Sequence, residues 1–303
     1  MGREQLEGLE TRLGTSHLPE MVYGSSLELV HLASGTRLRF SAEDALKEWL
    51  EEDLPPLKVA AAAEWAKGHK LRFGDDAPPP VSKSLAAAGL AREVGSGGSA
   101  RWDKQESQGD YDWTFTSPYR GTVDIDPSVA QTASESPTAS PPAWEDTELR
   151  VDRGLLMERD PILFFDELTL YESELDDNGV MSMSVKVRVM PRCWFVLMRF
   201  WMRVDSVLIR LRETRHFCRL HPPPTLPPGL PEEKRAALAA SLAANQAPVV
   251  VVRESARREE TFEGLRSRGA PCEAAQYPDA DEAASVLLAA GGPVEMAYHA
   301  LKL

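Results

Sequence analysis

Cysteine is scarce and odd in number. Cys193, Cys218 and Cys272 are the only three in 303 residues, and they stand far apart. A disulfide framework needs pairs and an oxidising compartment, so a reducing cytosol or nucleus is the expected setting. No run of about 18 apolar residues is present that could cross a bilayer. The longest apolar stretch, Cys193 to Met202, is broken by Arg199. The opening MGREQLEGLE is polar and does not read as a secretion signal. Gly2 makes no myristoylation signal, because Leu6 stands where Ser or Thr is wanted. Positive charge is also in deficit: 34 Lys and Arg against 47 Asp and Glu, a net charge of −13. Phosphate backbones repel such a chain, so neither nucleic acid nor a membrane is an expected partner, and a monomer is expected.

Catalytic signatures are missing as well. There is no GxSxG, no GxxxxGK[ST] and no GxGxxG, and the six histidines are scattered. Asp166 and Glu167 are sequence neighbours, so a strand sends them to opposite faces and they cannot flank one bond. The loop ESELDDNG invites a calcium reading with Glu174, Asp176 and Asn178 as ligands, but the twelfth position is Val185. A solvated turn is the better reading. In RHFCRLH, His216 and Cys218 share a strand face and His221 follows. Zinc needs more ligands than this, and no CxxC stands elsewhere. A strand end entering a Pro-rich loop is the plainer account, and a metal-dependent hydrolase remains only a remote alternative. No cofactor is expected.

What the chain does contain is β pattern. SSLELVHL and TRLRF read as a hairpin around Ser34-Gly35. Ser41 then precedes a helix with Ala45, Leu46, Trp49 and Leu50 on one face, and Asp44 is placed to cap it. Residues 67–110 and 124–147 are Pro-, Gly- and Ser/Thr-rich and are expected to be disordered insertions. Between them lies the aromatic island YDWTFTSPYRGT. From 150 to 219, strands follow one another through short turns at Asn178-Gly179, Pro191-Arg192 and Asp205-Ser206, which predicts an antiparallel meander. A helix is expected at 231–245, then a strand at VVVVRES and a peripheral last helix at DADEAASVLLAA. The expected fold is α+β: one domain over 1–303, an antiparallel sheet core in a meander or two-layer form, and flanking helices.

One segment runs against the overall charge. Met181 to Leu220 carries nine Lys or Arg and two acids. Within it MSMSVKVRVM alternates, with Met and Val on one face and Ser182, Ser184, Lys186 and Arg188 on the other. Two readings compete for its arginines. Arg199 and Arg203 could pair with Asp166 and Glu167 of a neighbouring strand, because buried charges must be paired. Alternatively Arg188, Arg203, Arg210, Arg212 and Arg215 could as a set stay open to a partner's carboxylates. The second is expected for the set.

Several segments together resemble the TIPRL family of regulators in TOR signalling. They are LPEMVYGSSLEL, FSAEDAL, LKVAAAAEW, YDWTFTSPYRGT, the long run from DPILFFDELTLYESELDDNG to VLIRLRETR, and VVRESARREETFEGL, all in family order. The resemblance implies a non-enzymatic protein that binds catalytic subunits of type 2A-like serine/threonine phosphatases, including their acidic C-terminal tail. An adaptor for a different acidic peptide is the alternative. By the same resemblance, Asp44, Ile162, Leu211 and Glu213 match positions important for phosphatase binding; the basic strip read from the charge pattern, with Arg188, Arg203, Arg210 and Arg215, would suit such a tail. Each has a plainer role as well: Asp44 as a helix cap, Ile162 as core. Trp113 and Tyr119 also match, though strand aromatics are more often core. The departures are an N-terminal stretch without the family's Trp-bearing strand, the two long insertions, and Asp205-Ser206 where the family has Asp-Gly, a replacement expected to strain a left-handed turn position.

Overall fold

The computed structural model describes residues 3–14, 18–51, 115–125, 142–158, 161–175, 178–220, 231, 234 and 249–303. The insertion expected at 67–110, the helix expected at 231–245 apart from Pro231 and Lys234, Trp113, and Asp176 of the acidic loop lie outside them.

In chain order, α1 (Arg3–Leu13) and β1 (Met21–Val22) lead into the hairpin β2 (Ser26–Val30) and β3 (Thr36–Ser41). Gly35 takes φ 69° at its turn, a conformation that suits a residue without Cβ. Helix α2 (Ala42–Lys47) starts where Ser41 Oγ accepts from the Asp44 amide at 3.2 Å. It is shorter than its periodicity suggests: Leu50 belongs to β4 (Leu50–Glu51), which pairs with β5 (Phe115–Thr116). β6 (Thr122–Ile125) joins β3. β7 (Glu145–Asp146), α3 (Arg153–Met157), β8 (Phe164–Ser173), β9 (Gly179–Met190), β10 (Cys193–Val204), β11 (Leu208–Arg219) and β12 (Val250–Thr261) follow. The chain closes with α4 (Phe262–Ser267), α5 (Ala280–Ala290) and β13 (Glu295–Lys302).

The meander predicted from 150 to 219 is the centre of an eight-stranded antiparallel sheet, ordered β1-β8-β9-β10-β11-β12-β13-β7. Alternation decides which way it faces. Met181, Met183, Val185 and Val187 of β9, with Val196, Met198, Phe200 and Met202 of β10, form an inner face buried under the β2-β3-β6 sheet, α1 and α2. Each such side chain contributes about 1.5–3 kcal/mol by leaving water. The opposite face carries Trp201, Ile209 and Leu211, packed under Phe262 and Leu265 of α4 and Ala283 and Leu287 of α5. At its other end Leu155 of α3 covers Met190, Cys193 and Phe217. The sheet is therefore covered on both sides.

Three expectations need correction. The segment 124–147 is structured at both ends: Asp124 and Ile125 belong to β6, and Glu145–Asp146 form the strand that closes the sheet beyond β13. Trp144 packs against the buried His216 ring at 5.6 Å. Polar composition concealed these contacts, because a two-residue strand has no periodicity to read. α5 is not peripheral, since Ala283 and Leu287 are fully buried. Strand β13 is a third difference; its EMAYHALK pattern does not alternate clearly.

The turn between β10 and β11 does carry the strain read from the sequence. Ser206 sits at φ 62°, with Val207 N–H closing the turn on Val204 O at 3.0 Å. Left-handed backbone costs a residue with Cβ about 1 kcal/mol. Ser206→Gly is therefore expected to stabilise the protein by about that amount, read as a higher urea midpoint with unchanged slope.

Candidate partner-binding surface

The basic strip is neutralised from within. On the outer face, Lys186 bonds Asp281 of α5 at 2.7 Å and Glu167 at 3.0 Å. Burial works against its charge, yet these two carboxylates hold its pKa above the usual lysine value. The hydrogen bond from Lys186 is the main reason Asp281 titrates below the usual carboxylate range. Arg199 donates to Glu213 at 2.9 Å and also to Asp281, and Arg215 takes the second Glu213 oxygen at 3.0 Å. Arg203 reaches Asp205 at 2.6 Å and the carbonyls of Ala274 and Tyr277. Arg188 donates to Leu156 O at 3.2 Å. On the inner face, fully buried Arg210 bonds Glu259 at 2.8 Å, and Arg212 lies 3.7 Å from the same carboxylate.

The expected open basic face is thus not what the fold contains. Arg188, Arg203, Arg210 and Arg215 do not stand clear of their own sheet. Register explains why Asp166 and Glu167 are not the partners of Arg199 and Arg203. Arg199 faces Ser184, which faces Thr169, two strands away. The acids that answer the strip come mainly from Glu213 on its own sheet and from residues 259–281, a segment whose packing the local pattern does not announce.

The four positions suggested by family resemblance separate by burial. Leu211 is core at 1% exposed. Glu213 is the buried anion between two arginines. Asp44 is largely buried; it takes no helix N–H itself but accepts from Oγ of Ser41, the N-cap of α2, at 2.9 Å and pairs with Arg39 at 2.9 Å. Burial pushes its carboxyl up, but Ser41, Arg39 and Lys47 outweigh that and leave its pKa lowered. Tyr119 is core too, its hydroxyl donating to Arg39 O at 3.1 Å. Only Ile162 is exposed, at 57%; its reading as core does not hold.

Ile162 opens an apolar surface that the charge pattern gave no reason to seek. Ile162, Leu163, Phe164 and Phe165 are 50–64% exposed and Met157 83%. ILFF looks in sequence like a buried strand. It stays wet because β8 overhangs: β1 pairs only with Tyr171 and Glu172, near its far end. Alternation puts Phe164, opposite Val189, and Phe165, opposite Arg188, on the two faces of the sheet, so this strand end is apolar on both sides; exposed apolar surface of this kind marks an interaction site. Around the same end lie Arg153, Arg192 and Arg219, at 73%, 49% and 59% side-chain exposure. The pairs of Arg192 with Glu158 and of Arg219 with Asp152 are surface pairs, each worth about 0–1 kcal/mol, so another carboxylate can compete for them, while Arg153 lies 3.9 Å from Glu254, whose side chain is buried.

Two other features differ in character. A cavity of about 350 Å³ lies between β1, β8, β9 and β10 and the start of α5, lined by Glu20, Glu172, Glu174 and Asp279. Its sign repels an acidic ligand. His216 and Cys218 do share the inner face, as alternation requires. Burial, with the charge of Arg253 adding to it, pushes His216 down to about 3; the Arg120 backbone opposes the shift without making a well-aligned hydrogen bond. Burial likewise pushes Cys218 up to about 12. His221 lies outside the described residues, and among those described no three His, Cys, Asp or Glu side chains cluster as metal ligands.

Comparison with known proteins points one way. The TIP41-like family model matches residues 21–266. The "TIP41-like protein" of Arabidopsis thaliana is 39% identical over 277 residues, covering 90% of this chain and 77% of that one. The "TIP41-like protein" of Homo sapiens is 33% identical over 215 residues, covering 71% and 64%. The "Type 2A phosphatase activator TIP41" of Saccharomyces cerevisiae is 30% identical over 213 residues, covering 70% and 50%. The matched region is thus just under two thirds of the human relative and half of the yeast one.

Proposed function

The chain belongs to the TIP41-like family, and we propose that it is a non-enzymatic regulator that binds the catalytic subunit of a type 2A-like protein phosphatase. The printed name of the yeast relatives, type 2A phosphatase activator, supports the partner. The exposed Ile162–Phe165 strand end carries the reading within this molecule. Desolvated aliphatic and aromatic side chains supply most of the energy at such contacts. The partner's acidic tail meets the exposed Arg153, Arg192 and Arg219 beside that patch, in place of the paired arginines on the sheet. An adaptor for some other acidic peptide would use the same exposed arginines, so it is the relatives' name that favours the phosphatase.

Ile162→Asp tests this by pull-down and calorimetry with a recombinant type 2A catalytic subunit. Because Ile162 is exposed, its thermal melt stays as in wild type while affinity falls about tenfold or more. Undiminished binding would remove the patch from the contact. Absence of binding by the wild-type chain would remove the phosphatase.

A further inference from the structure

The overhang of β8 is an open sheet edge as well as an apolar patch. Leu163 N–H donates inward to Val189 O at 2.8 Å. Asp205 N–H donates to Asn178 O, so the even-numbered residues of β9 bond β10 and Val185, Val187 and Val189 bond β8. Their partners Leu168, Asp166 and Phe164 therefore bond inward, and the main-chain groups of Phe165 and Glu167 point away from β9. Past the bulge at Thr169/Tyr171, which shifts the alternation by one residue, Leu170 O faces outward and accepts from Tyr23 N–H at 2.9 Å. Beyond that point, among the described residues, no strand pairs with the outer edge of residues 164–168. A bulge between Thr169 and Tyr171 separates the covered end of β8 from the open one.

Edge strands in natural proteins are usually short, charged or covered, because an open edge templates another strand. This one is long and begins with four exposed apolar residues. Only Asp166 and Glu167 carry charge. Glu167 is paired with Lys186, while Asp166 has no cation partner among the described residues. Self-pairing is disfavoured by this pattern. A two-fold through Phe165 sets Leu163 against Glu167 and Phe164 against Asp166. One through Asp166 or Glu167 sets like charges face to face.

We infer that the partner completes this sheet: an extended segment of the phosphatase catalytic subunit adds beside β8 as a further strand. Its apolar side chains lie against Phe164 and Phe165, and a Lys or Arg lies opposite Asp166. Main-chain bonds to Phe165 and to the Glu167 carbonyl give the affinity, and the Asp166 carboxylate, which meets no cation among the described residues, sets the register. This deepens the docking reading above and rests on it.

Proline separates the backbone contribution from the side chain. Phe165→Ala removes the ring and keeps the outward N–H, whereas Phe165→Pro removes both, and an edge strand tolerates proline at such a position. By calorimetry with the recombinant catalytic subunit, Phe165→Pro binds at least about tenfold more weakly than Phe165→Ala. Thermal melts check that both fold. In the wild-type chain, hydrogen exchange at the Phe165 amide slows on complex formation, which needs no variant. Phe165→Pro binding as well as Phe165→Ala, with that amide unprotected, overturns strand addition and leaves the docking reading standing if Ile162→Asp still loses affinity. No binding by wild type overturns both. A concentration-dependent dimer abolished by Phe165→Pro would assign the edge to a second copy of this chain and also overturn the inference.

Discussion

Alanine at Glu213 is expected to lower the free energy of unfolding by about 3–5 kcal/mol, a large fraction of a domain's total. Both carboxylate oxygens are committed inside the protein, one to Arg199 at 2.9 Å and one to Arg215 at 3.0 Å. Glu213 is 8% exposed at the side chain and Arg199 12%, so water cannot replace the lost partner. Asp281 remains beside Arg199, but it is 61% exposed and holds only the other side of the guanidinium. The damage is the uncompensated cation more than the missing bond. Removing both charges, with Arg199→Met and Glu213→Leu together, should therefore recover much of the loss. Urea melts of the single and double variants measure this. A single variant as stable as wild type that no longer bound phosphatase would return Glu213 to the contact surface.

Gly179→Ala is expected to be comparably severe, and for a steric reason. A Cβ built at Gly179 would lie 1.9 Å from Arg203 O and 2.9 Å from its carbonyl carbon. Both are main-chain atoms of β10, directly across the ladder where Gly179 faces Val204. They cannot rotate aside as a side-chain tip can, so relief requires moving the start of one of the longest strand pairs. Asp205 N–H donates to Asn178 O at 2.8 Å just beyond, and that bond would shift with it. A cost of about 3–5 kcal/mol follows, lowering the melting temperature by roughly 10 °C in a chain of this size. A melting point within about 2 °C of wild type would mean that the strand ends are far softer than their register implies.

Periodicity made much of the fold legible before any coordinates. The meander, the Ser34-Gly35 hairpin, the cap at Ser41 and the left-handed Ser206 are all local facts, set by alternation, turn chemistry and capping within a few residues. The inner face of β9 could be named residue by residue for the same reason. Family kinship was legible too, since it rests on ordered motifs such as WTFT and KVRVMP.

The site was less legible, because it depends on what lies opposite. Nothing near Lys186 or Arg199 in sequence announces that Asp281, some 80–95 residues on, folds down to meet them. An arginine's freedom is a property of packing. The reverse holds for ILFF, whose composition promises burial and whose position past the end of β1 denies it. Thus the chain's own order determined strands, turns, caps and relationship, which short-range sterics and hydrophobic period control. Tertiary structure alone decided which charges are spent inside and which apolar side chains face water, because ion pairing and edge coverage arise between segments distant in sequence.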